Sequence, residues 1–249
     1  MNKPELLMPA GNLEKLKIAV KNGADAVYFG ASRYNMRSPA QNFTREEVKE
    51  GIDFCHAYGS KAYMTMNIAL KDQEIKDAVE MAKVFYEFGL DALIIQDMGL
   101  FKILREAIPD LDLHASTQLT CNNRQGAEFL AELGFKKVVL ARELTIEEII
   151  EITRLLHEQG VESEVFVHGA ECFSYSGQCL FSSFVFNKSG NRGRCLQPCR
   201  LPYETNTGNK GRILSMKDLC THENIDKLIE AGKDLGLKPY GIRAMNSLR

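Results

Sequence analysis

The chain has 249 residues, 45% of them hydrophobic and 26% charged, with no tryptophan; this is the composition of an ordinary globular protein with one substantial core. Its net charge of −2, from 31 basic and 33 acidic residues, gives bulk electrostatics no preference for nucleic acid or anionic membrane, leaving only local basic patches to supply one. No apolar run approaches the roughly 18 residues that would cross a bilayer, and MNKPELLMPAG has too short an apolar run for a signal-peptide core.

A cytoplasmic location is therefore expected, with no membrane partner. Thiols stay reduced there, and seven cysteines are an odd number for a disulfide framework. Clustered cysteines are accordingly read as metal ligands or catalytic groups.

In chain order, a strand at 5–9 precedes a helix at 12–22, and a strand at 26–30 precedes a helix at 44–58. A strand at 61–67 and a helix at 72–88 follow, then strands at 92–96, 111–116 and 137–141, a helix at 145–159 and a strand at 163–168. The helices carry apolar residues at 3.6-type spacing and begin at capping residues Asn12, Thr44, Asp72 and Thr145; Thr44 to Glu47 and Thr145 to Glu148 have capping-box spacing. Five times a helical pattern ends in glycine before a short apolar run, at Gly23, Gly59, Gly89, Gly134 and Gly160. Lacking a Cβ, glycine fits the left-handed position that ends a helix. The apolar runs are too continuous for half-exposed strands, so both faces should be covered.

A helix at 222–236 and an eighth strand at 237–242 complete the count. Alternating β and α units imply a parallel sheet, and eight of them imply a TIM-type (β/α)8 barrel in one domain, residues 1–249. No G-x-G-x-x-G loop follows the first strand, which argues against an open dinucleotide-binding sheet. Residues 171–220 break the rhythm as a long Cys-rich insertion after strand seven, and 234–249 form an atypical tail.

In such a barrel chemistry sits at the C-terminal strand ends. Those ends supply Asn67, Gln96, Asp97, His114, Ser116, Gln118, Arg142, Glu143, His168 and Glu171, whereas the opposite ends carry plainer residues such as Asp25, Lys61, Asp91 and Lys137. His168, Glu171, His114 and Arg142 are the candidate catalytic groups. Asn67, Asp97, Gln118, Glu143 and Arg194 are candidate substrate contacts, Arg194 because the insertion is locally basic and would suit an anionic substrate.

The insertion holds Cys172-x6-Cys179-x15-Cys195-x3-Cys199, with Cys220 beyond. Four thiolates can hold an iron–sulfur centre or a structural zinc, although only Cys195-x3-Cys199 has the short zinc spacing. Burial as small hydrophobes suits Cys55 and Cys121 but not five thiols in a glycine-rich loop. Cys172, Cys179 and Cys195 are three of the ligands, and Cys199 or Cys220 is the fourth.

Glu164-x-Phe166-x-x-Gly169-Ala170-x-Cys172, continuing to Gly177-x-Cys179-x-Phe181-Ser182, resembles the signature of the collagenase-like peptidase family U32. PELLMPAGNLEKLKIAVKNGADAVYFG, LHASTQ, VVLARE, NRGRCLQPCR and ILSMKDLC are similar to phrases of the same family, so the resemblance runs to about residue 233. It implies a TIM-like barrel. The family name implies proteolysis, while other members are associated with oxygen-independent hydroxylation of tRNA, ribosomal RNA or quinone precursors. Those members use a 4Fe–4S cluster, and prephenate is linked to the RNA reactions. By position the resemblance implies Cys172, Cys179, Cys195 and Cys220 as cluster ligands, with Cys199 the alternative. The chain departs from the family at YGIRAMNSLR, where a family strand and acidic-basic phrase would stand, so the barrel is expected to be incomplete at its C-terminal end.

Three functions follow. The first is a cluster-dependent hydroxylation protein acting on RNA or a small aromatic precursor, with Arg142 suited to a carboxylate such as prephenate's. The second is a peptidase using Cys172 with His168 or His114, since G-x-S-x-G and H-E-x-x-H are absent. The third is a non-catalytic subunit acting beside a homologous partner.

Overall fold

A computed structural model describes residues 4–36, 42–175, 178–233 and 241–244. Six β-then-α units and a seventh strand come first: β1 (Leu6–Pro9), α1 (Leu13–Lys21), β2 (Ala26–Gly30), α2 (Arg45–Ala57), β3 (Lys61–Met66), α3 (Asp72–Glu87), β4 (Ala92–Ile95), α4 (Met98–Ala107), β5 (Asp112–Ala115), α5 (Arg124–Glu132), β6 (Lys137–Val139), α6 (Ile146–Glu158) and β7 (Glu162–Gly169). An irregular excursion follows, containing α7 (Phe181–Phe186) and three two-residue strands, β8 (Tyr203–Glu204), β9 (Lys210–Gly211) and β10 (Leu219–Cys220). The described chain ends with α8 (Ile225–Lys233) and β11 (Gly241–Ala244).

Local chemistry explains the boundaries. Asn12, Thr44 and Thr145 cap their helices, and the last two form full capping boxes with Glu47 and Glu148. Asp72 is a correction: it is the first residue of α3, and Lys71 is the N-cap, its N–H donating to Glu74 Oε2 at 2.8 Å. All five helix-ending glycines have positive φ, between 72° and 95°. Helices α4 and α5 were not singled out from the sequence, although Asp97 and Asn123 cap them.

The eight longer strands form a curled, parallel-dominated sheet. Pairing runs β7–β11–β1–β2–β3–β4–β5–β6, and β6 also pairs with β7, every one of these ladders parallel. The eighth strand is described over Gly241–Ala244, overlapping the end of the expected 237–242, and the expected incompleteness at the C-terminal end does not extend to strand pairing: β11 is hydrogen-bonded to both β7 and β1. Residues 234–240 and 245–249 of the tail lie outside the described residues. β6 stops pairing at Glu164 of β7, and β10 takes up the same edge antiparallel at His168 and Gly169.

The core has two layers. Most buried residues fill the space between strands and helices, where Leu16, Ile52, Phe101, Phe135 and Leu156 pack. A smaller set, Leu7, Ala26, Tyr28, Tyr63, Ala92 and Ile94, faces inward from the sheet. Strand alternation places Lys137, Glu162, Glu164 and His114 with this inner set.

The N-terminal end of this interior is not plain, which corrects the sequence reading. Lys137, its side chain 2% exposed, lies 2.6 Å from Glu5 Oε1 and 3.2 Å from Glu162 Oε2. Tyr63 donates its hydroxyl to Glu5 Oε2 at 3.0 Å. Burial opposes the Lys137 charge, but Glu5, Glu164 and Glu162 together outweigh it and hold the ammonium pKa above its ordinary value. Burial, then Glu5, pushes the Tyr63 phenol far above its ordinary range.

Candidate functional site

At the C-terminal end of the strands, backbone termini and side chains interlock. Asn67, just past β3, is buried; its amide donates to Ser116 Oγ at 3.3 Å and its Oδ1 accepts the Met36 N–H at 3.2 Å. Gln96 donates to the Asn67 carbonyl at 2.9 Å. Asn35 is 1% exposed and sits above Gly30, where a Cβ would meet its side chain at 2.6 Å. Sequence reasoning did not single out Asn35, and only the missing Cβ at Gly30 hinted at a side chain occupying that space.

The predicted residues divide. Phe166 and His168 continue the inward face of β7, and the Arg142 guanidinium lies 5.7 Å from the Phe166 ring centroid. Glu171 Oε2 lies 3.9 Å from Arg142 Nε. Burial lifts the Glu171 carboxyl above its usual range; Arg142 opposes the lift, while Glu143 and Asp218 add to it. Arg200 donates to the Glu171 carbonyl at 3.0 Å. Arg142, Glu143, Glu171 and His168 therefore share one neighbourhood, with Cys172 next in the chain.

Other predicted residues stand elsewhere or are already engaged. His114 is not at the rim: it is buried in the interior, edge-on to Tyr63 with 4.8 Å between ring centroids. Asp97 uses one oxygen to cap α4 through the Leu100 N–H and the other to accept the Leu70 N–H, both at 2.9 Å. Gln118 lies on a 3-10 turn whose carbonyl accepts the Gln178 amide at 3.1 Å.

That last bond is one anchor of a bridge. The excursion leaves β7 and ties to the loop after β5 through Gln178. It then reaches α3, where Arg192 donates to Glu74 at 2.6 and 3.0 Å and Asn191 accepts the Ala69 N–H. Arg192 holds the Glu74 carboxyl below its usual range. Since β3 is four steps from β7 in the circuit of eight, residues 178–194 cross the mouth from one side to the other.

Gly193 is the tightest point of that crossing. Its φ is +72°, and a Cβ there would lie 2.3 Å from the Asn35 carbonyl oxygen. Gly193→Ala should therefore lift the far end of the bridge and destabilise the protein by about 1–3 kcal/mol. Limited proteolysis should then cut within 178–194 faster than in the parent, and an unchanged cleavage pattern with an unchanged melting temperature would refute the docking.

The excursion as a whole carries the cysteines. Cys179 accepts the Phe181 N–H and Cys195 the Gln197 N–H through sulfur, each at 3.3 Å. Gly190 lies between them: a Cβ there would stand 3.3 Å from the Cys179 carbonyl and 3.7 Å from the Cys195 Cβ. Burial raises the Cys195 thiol pKa, with Cys172 and Cys179 adding to the rise and Ser182 opposing it. Burial likewise raises Cys199, with contributions from Cys172, Cys195 and Cys179. Cys195 thus lies within electrostatic reach of Cys172 and Cys179, and Cys199 within reach of all three. Cys220 stands on β10 opposite His168. Among the described residues, no three His, Cys, Asp or Glu side chains are gathered tightly enough to hold a metal ion as they stand. The donor set nevertheless fits a cysteine-ligated centre, because backbone N–H groups already point at two sulfurs, as they do around iron–sulfur clusters.

Comparison with known proteins completes the description. The sequence model of Peptidase family U32 matches residues 11–237. The chain is 39% identical over 244 residues to tRNA hydroxylation protein P1 of Bacillus subtilis (strain 168), covering 93% of this chain and 57% of that protein. It is 41% identical over 236 residues to 23S rRNA 5-hydroxycytidine C2501 synthase of Escherichia coli (strain K12), covering 92% of this chain and 35% of that protein. The chain thus spans well under two thirds of the length of either relative. The solved structure of the U32 peptidase Mk0906 is similar in fold, with a TM-score of 0.63 at 13% identity, covering 99% of this chain and 94% of that one. No described helix is long and apolar enough to cross a membrane.

Proposed function

Because the chain belongs to peptidase family U32, we propose that it forms the TIM-type (β/α)8 portion of an enzyme that hydroxylates RNA, with the 171–220 insertion holding a 4Fe–4S cluster above the mouth. The observation that carries this reading is that Cys172, Cys179, Cys195 and Cys199 lie on one excursion above the strand ends, with backbone N–H groups donating to the sulfurs of Cys179 and Cys195. The names of the two RNA-modifying relatives support the substrate class, and a small aromatic precursor is the neighbouring possibility within the same chemistry.

Bound there, the cluster would supply one-electron redox chemistry. The chain's own residues supply the rest. Arg142, steadied over Phe166 and beside Glu171, presents a fixed guanidinium suited to a carboxylate such as that of prephenate. His168, exposed at the end of β7, can take or give a proton at an imidazole nitrogen. Asn67, held between Ser116, Met36 and Gln96, orients a polar edge from below. The bridge limits water above the mouth.

The test is metal analysis of protein purified anaerobically. It should be brown and contain about four irons and about four sulfides per chain, and it should hydroxylate RNA with a source of electrons and the appropriate co-substrate. A colourless protein, still free of iron after anaerobic reconstitution, that instead cleaves gelatin in the presence of chelator would overturn the proposal in favour of a peptidase built on Cys172 and His168.

A further inference from the structure

Charge and exposure are unevenly spread over this molecule. Residues 171–220 contain seven Lys and Arg against three Asp and Glu, on a chain whose net charge is −2. The same segment carries much of the exposed aromatic surface: Phe173, Tyr175, Phe184 and Phe186 are 47%, 52%, 83% and 38% exposed. Phe184 and Leu180 lie one turn apart on the same side of α7, and both face solvent.

This exposure does not come from a loose segment. Ser182, 1% exposed, accepts the Leu196 N–H at 3.0 Å, and α7 is closed by Asn187 in the left-handed conformation. Lys188 is drawn back by its N–H to the Ser182 carbonyl, and Arg194 by its N–H to the Ser189 carbonyl. Arg192 is committed to Glu74 and Arg200 faces Asp218, whereas no described carboxylate pairs with Lys188 or Arg194. A rigid turn of helix therefore holds bare rings outward, with two uncommitted cations flanking it.

We propose that this surface receives unpaired nucleotides of an RNA substrate, bases stacking on the exposed rings of this segment, Phe184 foremost, while Lys188 and Arg194 take the adjoining phosphates. The inference rests on the RNA reading above and extends it to a surface and a conformational class of RNA. Flat exposed rings offer a sequence-tolerant face for a base that has left its stack, and duplex RNA has no free base to give them. The cations oppose phosphate charge at just the part of an otherwise acidic chain where stacking is available. A purely apolar protein partner would leave those two cations without a counter-charge.

Fluorescence anisotropy with the full chain tests this, using a short single-stranded RNA and the same sequence as a blunt duplex. The parent should bind the single strand more tightly than the duplex. Phe184→Ala should weaken single-strand binding by about tenfold or more, and Phe184→Tyr, which keeps the ring, should restore it. Arg194→Glu should weaken binding and reduce the salt dependence by about one phosphate contact. Circular dichroism and iron content should match the parent in every variant. If the variants bind single-stranded RNA as tightly as a parent that hydroxylates RNA, this surface is not the contact, and the RNA reading stands. If Phe184→Ala retains RNA binding but loses a co-purifying protein, the surface docks a protein and the inference is overturned. A parent that neither binds nor modifies RNA would remove both.

Discussion

Alanine at Cys172, Cys179 or Cys195 should reduce iron from about four per chain to nearly none, with loss of the brown colour and of RNA hydroxylation. A four-thiolate centre that loses one ligand is left as an incomplete set rather than a weaker one. The fourth position is decided by the same assay. Cys199 lies within electrostatic reach of the three, whereas position within the family resemblance favours Cys220, so iron lost in Cys199→Ala and kept in Cys220→Ala would settle on Cys199. The reverse pattern would require Cys220 to swing in from β10 as the cluster binds. Cys55→Ala and Cys121→Ala are the controls. Burial pushes their thiols up to about 12 and about 11, so neither offers a thiolate, and iron should be unchanged. If alanine at Cys172 leaves iron and colour intact, the centre is elsewhere or absent.

Lys137→Met should destabilise the fold by about 3–5 kcal/mol, because the buried Glu164 and the largely buried Glu5 would lose the cation between them, with only Lys61, among the described residues, left 3.7 Å from Glu5. The measurement is the denaturation midpoint. Adding Glu5→Gln to Lys137→Met should recover part of the loss, since one uncompensated carboxylate is then neutral, and a simple packing defect would show no such recovery. The sign of the pH dependence follows from the raised lysine pKa. Its contribution is complete below the unfolded value near 10.5 and disappears as pH rises through the higher folded value. The parent should therefore lose stability in strongly alkaline solution more steeply than Lys137→Met does. Equal midpoints for parent and Lys137→Met would mean that the charge cluster contributes nothing.

Much of the fold was legible because its signals are local. Helix-ending glycines, caps such as Thr44 and Thr145, and doubly covered apolar runs each arise within a few residues, and the strands through β7 lie within two residues of their expected ends. The site was legible only in part. Alternation brings Asn67, Phe166 and His168 to the same inward face, but the position of a residue along the strand decides whether it reaches the mouth. His114 stops short, against Tyr63, and Asp97 turns aside to cap a helix. The bridge was not legible at all. Its anchors join residues 118 and 60 positions apart, Arg192 to Glu74 and Gln178 to Gln118, and no local pattern encodes such a pairing.

The position of β11 has a consequence for how the molecule is made. The first strand waits for a neighbour more than 230 residues downstream, and Glu5 waits for Lys137, 132 positions away. On the ribosome, every nascent chain that ends before residue 241 exposes a naked backbone edge on both β1 and β7, open to pairing with another unfinished copy. Synthesis slowed within this last stretch should therefore raise aggregation, whereas slowing between earlier β-then-α units should not.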